Sequence, residues 1–265
     1  MKLLSTLTET NSTHPPLVLI HGLGSAATAF KPIVSALSNS FRVISIDLPG
    51  HGKSPYKAGQ KMEPKALGNA IFESIKSEYG IDSFHVVGNS LGGWIALEMA
   101  ADQPDRIMSL TGLAPAGLWL QPASGRLPIE ARSYYLAKAL KPFLTVGLKS
   151  KVMRSIGFAK VSPMWEELSY ETCFDASIAM AKCSGYFPAW DGMLTRRFEA
   201  HVRQSVPVTI LFGDSDNTLP YPISQERSLA PAHASWLVID NCGHAPMWDH
   251  PDLVVQIIRE TSAKM

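Results

Sequence analysis

Six short apolar runs, each closed by turn residues, constrain this chain more than any other feature. They are "LVLI" at 17–20, "FRVISI" at 41–46, "FHVV" at 84–87, "IMSLTGL" at 107–113, "PVTILF" at 207–212 and "SWLVI" at 235–239. Their hydrophobicity is continuous rather than alternating, as strands covered on both faces require. Helix-like segments lie between and after them, at about 26–38, 64–79, 91–102, 222–230 and 252–262. Strands alternating with helices predict βαβ units and a mostly parallel central sheet flanked by helices. With 265 residues, 46% of them hydrophobic and 18% charged, the chain can bury a sizeable core.

The alternation stops after residue 118. Residues 119–200 hold no convincing strand, but they hold helix-like pieces such as "IEARSYYLAKAL" and "FDASIAMAKCS" and many aromatic and Met side chains. This predicts a core built from 1–118 and 201–265, with 119–200 inserted between two sheet strands as a helical cap. An insertion this apolar must pack on something, and the carboxyl edge of an open α/β sheet is where ligands bind. Trp119, Tyr134 and Trp165 in the insertion are candidate substrate contacts, as is Met247 outside it; a packing role is the competing reading for each.

The stretch "VVGNSLGGW" at 86–94 sets a serine between two glycines where a strand meets a helix. Such a G-x-S-x-G turn forces the serine into a strained backbone conformation and lifts its hydroxyl above the sheet. It also puts Ser90 at a helix N-terminus, where free N–H groups favour developing negative charge. A serine hydroxyl is a weak nucleophile and needs a base. Of the eight histidines, His244 follows the last strand through a glycine, at the same sheet end as Ser90. The base needs an orienting acid. "ILFGDSDNTLP" offers Asp214 and Asp216 at the end of another strand, and either could reach the imidazole.

"HGLG" at 21–24, "DLPGHGKS" at 47–54, "GNSLGG" at 88–93, "GDSD" at 213–216 and "GHAPMWDHP" at 243–251 together resemble the α/β-hydrolase fold superfamily. More narrowly they are similar to its capped esterase, lipase and C–C hydrolase branch, over nearly the whole chain. The resemblance implies Ser90, Asp216 and His244 as the catalytic triad, selecting Asp216 over Asp214. It also implies an oxyanion hole from the backbone N–H groups of Leu23 and Leu91. His21, His51 and Asp47 read as loop-shaping residues, Trp94 as packing and Cys242 as a buried small residue. Three departures from the family pattern stand out. The short N-terminal region predicts one strand where the family has a hairpin. Ala245 stands where the C–C hydrolases typically carry Trp. A serine nucleophile argues against dehalogenase and epoxide hydrolase chemistry.

The expected activity is therefore serine hydrolysis of carboxylic esters of apolar small molecules. C–C bond hydrolysis, lactone opening and perhydrolysis on the same triad are alternatives, as is a ligand receptor on the same fold. No metal or organic cofactor is implied. The formal net charge of +1 argues against a nucleic-acid partner, which would need a concentrated cationic excess. Three cysteines without metal-ligand spacing predict neither a disulfide framework nor a zinc site. No run reaches the roughly 18 apolar residues of a membrane span, and the N-terminus lacks a secretory pattern. The expectation is a soluble, cytoplasmic protein of open oligomeric state.

Overall fold

A computed structural model describes residues 4–7, 13–125 and 131–264. Seven strands form one sheet: β1 (Leu4–Leu7), β2 (Pro16–Ile20), β3 (Arg42–Asp47), β4 (Phe84–Asn89), β5 (Ile107–Leu113), β6 (Val208–Gly213) and β7 (Ser235–Ile239). Their spatial order is β1-β3-β2-β4-β5-β6-β7. β1 runs antiparallel to β3, and the other six are parallel. Each of the six apolar runs forms one of the parallel strands. Among the described residues one strand precedes β2, matching the single strand predicted there; residues 8–12 lie outside the described set.

For the interior strands the continuous hydrophobicity has the expected cause; β7, at the sheet edge, departs from it, with Leu237 and Val238 exposed. β4 and β6 are buried along their whole length, because helices cover both faces. On one face lie α2 (Pro64–Tyr79) and α3 (Leu91–Asp102), packed on each other. α2 starts at a proline, buries Leu67, Ile71 and Ile75 at helical spacing, and ends at Gly80 in the left-handed conformation. α3 is buried nearly all round, and its Trp94, Ile95 and Leu97 join the larger core cluster. On the other face α1 (Lys31–Ser38) and α10 (Pro251–Ser262), which follows the short α9 (Pro246–Asp249), bury Ile33, Leu37, Val254 and Ile258 against Leu17, Leu19, Val87 and Leu211.

Between β5 and β6 stand α4 (Arg132–Leu140), α5 (Leu144–Gly147), α6 (Lys151–Phe158), α7 (Tyr170–Lys182) and α8 (Tyr186–Leu194). Leu144, Leu148, Phe158, Leu168 and Cys173 form a small core within this insertion. Trp165 packs against that core. α7 is tied to the start of α1 by Lys31, whose Nζ lies 2.6 Å from Glu171 and 2.7 Å from Asp175.

The helix expected at 222–230 does not form. Only Arg227–Leu229 makes a single 3-10 turn there. Pro220, Pro222 and Pro231 break the segment, and its backbone bonds go elsewhere. Ile223 O accepts from Leu120 N, and Glu226 N donates to Leu118 O. The chain leaving β5 therefore captures groups that a helix would have used itself.

Candidate active site

The elbow is built by close approach. A Cβ on Gly92 would stand 2.0 Å from the carbonyl oxygen of Ile20, and one on Gly88 would stand 2.1 Å from that of Gly92. No side chain fits either position, so β2, β4 and α3 meet there only through glycine. Ser90, at the crossing, has φ 54° and ψ −118°, a conformation few non-glycine residues adopt. It is held on both sides. Its N–H donates to Leu113 O at 3.0 Å, and its carbonyl accepts from Trp94 N and Ala116 N. The N–H of Leu91 opens α3 and has no partner inside the helix. The "HGLG" loop arrives beside it: a Cβ on Gly22 would be 3.0 Å from Ser90 Cβ.

His244 sits on the loop after β7 and is nearly buried. Its Nδ1 lies 2.8 Å from Asp216 Oδ2. The other oxygen of Asp216 accepts from the N–H groups of Thr218 and Leu219, each at 2.8 Å. The carboxylate is thus fixed in place and leaves one oxygen for the imidazole. Asp214 has a different partner: its Oδ1 accepts from Cys242 N at 3.2 Å, shaping the turn that leads to His244. Among the described residues no hydrogen bond joins Ser90 Oγ to His244. Such contacts often tighten only when substrate arrives.

Three other groups hold the histidine loop. Asn89 Nδ2 donates to Leu113 O and to His244 O, both at 3.0 Å, linking the elbow to the histidine. The insertion supplies Val161 O, which accepts from His244 N at 2.7 Å. Buried Asp249 accepts from Gly243 N at 2.7 Å and from the Ser162 hydroxyl. Burial holds the Asp249 carboxyl above the ordinary carboxylate range. Asp249→Ala would leave two buried donors unpaired and loosen the loop carrying His244. A loss of about 10- to 100-fold in turnover is expected, with Asp249→Asn restoring most of it because an amide can serve both partners. Steady-state kinetics of the two variants check this. None of these holding roles was read from the sequence. Asn89 is a common turn residue, and the partners of Val161 and Asp249 lie too far along the chain for spacing to reveal them.

The loop-shaping readings of the remaining polar residues hold. His21 Nδ1 donates to Gly22 O at 2.7 Å, while its Nε2 accepts from Leu48 N at 3.1 Å. His51 Nδ1 donates to Pro49 O at 2.9 Å. Asp47 accepts from Ala27 N and Lys53 N. Cys242 is fully buried, and burial pushes its thiol pKa up, so it is inert packing.

The four candidate substrate contacts separate. Tyr134 stacks on Tyr186 at 4.8 Å, in an aromatic group with Phe187. That group reaches the "HGLG" loop, since a Cβ on Gly24 would fall 2.6 Å from Met180 and 2.9 Å from the Tyr186 ring. Met180 and Tyr186 are thus the insertion side chains placed beside that loop; Tyr186 stands among the aromatic residues of the insertion, but nothing in the sequence singled out Met180. Trp119 packs edge-on against Trp94 and donates to Arg196 O. The other two have different surroundings. Trp165, partly buried, packs against the insertion's own small core. Met247 is 1% exposed in the cluster between α1, α10 and the sheet, on structural duty. Apolar character alone does not say which cluster a side chain joins.

An open six-stranded parallel sheet with a strained serine elbow and a histidine–carboxylate pair at one end defines a class of hydrolytic enzymes. The family model described as "alpha/beta hydrolase fold" matches residues 15–251, and the chain belongs to that family. It is 26% identical over 253 residues to a pimeloyl-[acyl-carrier protein] methyl ester esterase of Neisseria meningitidis, covering 91% of each chain. It is 26% identical over 262 residues to a 2-hydroxy-6-oxononadienedioate/2-hydroxy-6-oxononatrienedioate hydrolase of Paraburkholderia phymatum, covering 94% of this chain and 88% of that one. A thermophilic esterase from Thermogutta terrifontis shares the fold with a TM-score of 0.72 at 21% identity, over 99% of this chain and 93% of that one.

Proposed function

We propose that this chain is a serine hydrolase that cleaves carboxylic esters of apolar small molecules through an acyl-enzyme on Ser90. The observation that carries this reading is the His244–Asp216 pair, 2.8 Å apart, on loops beside the serine elbow. Ser90 Oγ attacks the acyl carbonyl as His244 Nε2 takes its proton. Asp216 receives the Nδ1–H bond, holds the ring's tautomer and stabilises the imidazolium. The N–H groups of Leu91 and Leu23 receive the oxyanion, worth about 3 kcal/mol for one well-placed donor. His244 then protonates the leaving alcohol, and water repeats the sequence to release the acid. Residues 119–200 act as a cap, and Met180, Tyr186 and Tyr134 favour an apolar acyl or alcohol group. The esterase-named relative supports the ester reading.

A fluorophosphonate probe with turnover of p-nitrophenyl acetate, butyrate and octanoate tests it. The expected result is an adduct at Ser90 and prompt turnover. Folded protein with neither label nor turnover would sink the reading. C–C bond hydrolysis is the second reading, because the Paraburkholderia relative is named for it and the same triad serves both reactions. A dienone ring-cleavage product turned over faster than every ester would select it.

A further inference from the structure

The outer layer of the insertion carries a surface the hydrolytic site does not use. α4, α5 and α6 each lie against α7 or against the turn beside it, and α7 in turn packs on the core at 27–30. Leu144, Leu148 and Phe158 point inward, into the insertion's own core. Their neighbours point outward: Phe143 is 65% exposed, Val146 73%, Val152 68% and Ile156 59%. Val152 and Ile156 are one helical turn apart and share a face.

The charge around these side chains is one-sided. Between residues 131 and 160 stand seven Lys and Arg and no Asp or Glu, in a chain with 24 and 23 overall. Lys151 pairs with Glu166 at 2.9 Å. Arg132, Lys138, Lys141, Lys149 and Lys160 are exposed, and none of them makes an ion pair among the described residues. Exposed apolar side chains interleaved with unpaired cations form the combination that binds the headgroup region of an anionic bilayer. Four of these five cations are lysines, of which Lys138 also lies over the Tyr134 ring at 5.8 Å. They are flexible point charges rather than forks that select one carboxylate geometry, and so suit a plane of mobile headgroups.

We propose that the 135–160 face docks on a bilayer containing anionic phospholipid, with Phe143, Val146, Val152 and Ile156 entering the interface and the surrounding cations on the headgroups. The docking is peripheral, since no helix among the described residues is long and apolar enough to cross a membrane. It goes beyond the ester reading and does not depend on it.

Flotation of the full chain with vesicles of phosphatidylcholine and phosphatidylglycerol in equal parts, against pure phosphatidylcholine, tests this. Salt-sensitive binding to the mixed vesicles alone is expected. A Lys138→Gln/Lys141→Gln/Lys149→Gln variant should bind about 10²-fold more weakly, from about five-fold per cation. Phe143→Ser/Val146→Ser should lose about ten-fold. Both variants should keep the parent's unfolding temperature and its rate on p-nitrophenyl acetate, and Ser90→Ala should float like the parent. No flotation, equal flotation on both vesicles, or variants that float like the parent would overturn the proposal. Retention on polyglutamate without vesicle binding would also overturn it, leaving an acidic polypeptide as the occupant. Flotation by a protein with no esterase activity would sink the ester reading and leave the docking surface standing.

Discussion

Ser90→Ala folds normally, takes no fluorophosphonate label and loses about 10⁴- to 10⁶-fold in turnover of p-nitrophenyl esters. The size of the effect follows from cooperation within the triad. Without the hydroxyl, His244 has no proton to accept and Asp216 orients a base with no task, so little remains beyond binding and the oxyanion donors. Ser90→Gly is just as inactive, yet more resistant to urea than the parent. The positive φ of Ser90 costs on the order of 1–3 kcal/mol, which glycine relieves. The extra freedom of glycine in the unfolded chain costs about 0.5–1 kcal/mol. The strain is the larger quantity, so a net gain of about 1 kcal/mol is expected from equilibrium unfolding. A Ser90→Ala enzyme with the parent's turnover would remove Ser90 from the mechanism. A Ser90→Gly protein less stable than the parent would mean the elbow is unstrained.

Acid is expected to destabilise this protein chiefly through buried histidines outside the proposed triad, His21 and His51 foremost. Burial lowers His21 from the ordinary 6.5 to about 4, and burial followed by the proximity of His21 lowers His51 to about 3. The hydrogen bonds explain why the neutral forms are kept. His21 Nε2 faces the N–H of Leu48, so a proton there would set two donors against each other. His51 Nε2 is buried without a partner, so its proton would be an unpaired charge in the core. The two rings lie 5.2 Å apart, so both cannot charge together. Because both folded values are depressed, the unfolded chain binds more protons below pH 6.5. The stabilising contribution is present above 6.5 and declines as pH falls through 4 for His21 and on towards 3 for His51. By pH 4 the loss amounts to about 3 kcal/mol for each, against a total stability of roughly 5–15 kcal/mol. Burial lowers His85 to about 4 as well and adds to the loss, while the raised carboxyls of Asp249 and Glu98 work in the opposite direction, favouring the folded state as pH drops. Urea midpoints measured from pH 7 to pH 4 should fall steeply, and His51→Gln should flatten the acid limb while lowering stability at pH 7. A parent midpoint that does not change with pH would contradict the buried neutral pair. Both histidines brace the "HGLG" and "DLPGHGKS" loops, so acid should cost activity together with stability.

The sheet could be read from the chain because its physics is local. Continuous apolar runs of strand length mark the buried interior strands, and Gly88 and Gly92 of "GNSLGG" fit an elbow, since a Cβ at either would meet backbone. The predicted boundaries of α2, α3 and β5 agree with those observed, because proline, glycine and periodicity mark them within a few residues. Where the outcome depends on a distant partner, the residues alone were silent. Asp214 and Asp216 are equally placed in sequence, and the fold separates them by giving one Cys242 N and the other His244. The 222–230 segment has helical composition, but residues 118–120 take up its backbone groups. Met247 lies within a site motif and Tyr186 far from any, yet packing sends the first into the core under the sheet and the second against the "HGLG" loop. The sequence by itself determined the sheet, the elbow and the set of residues able to do the chemistry, because each is fixed by sterics over a few neighbours. The tertiary structure alone decided which groups hold the histidine loop and which aromatic side chains stand beside the "HGLG" loop, because each is a contact between segments tens of residues apart; it also seats against His244 the acid that spacing left open and the family resemblance selected.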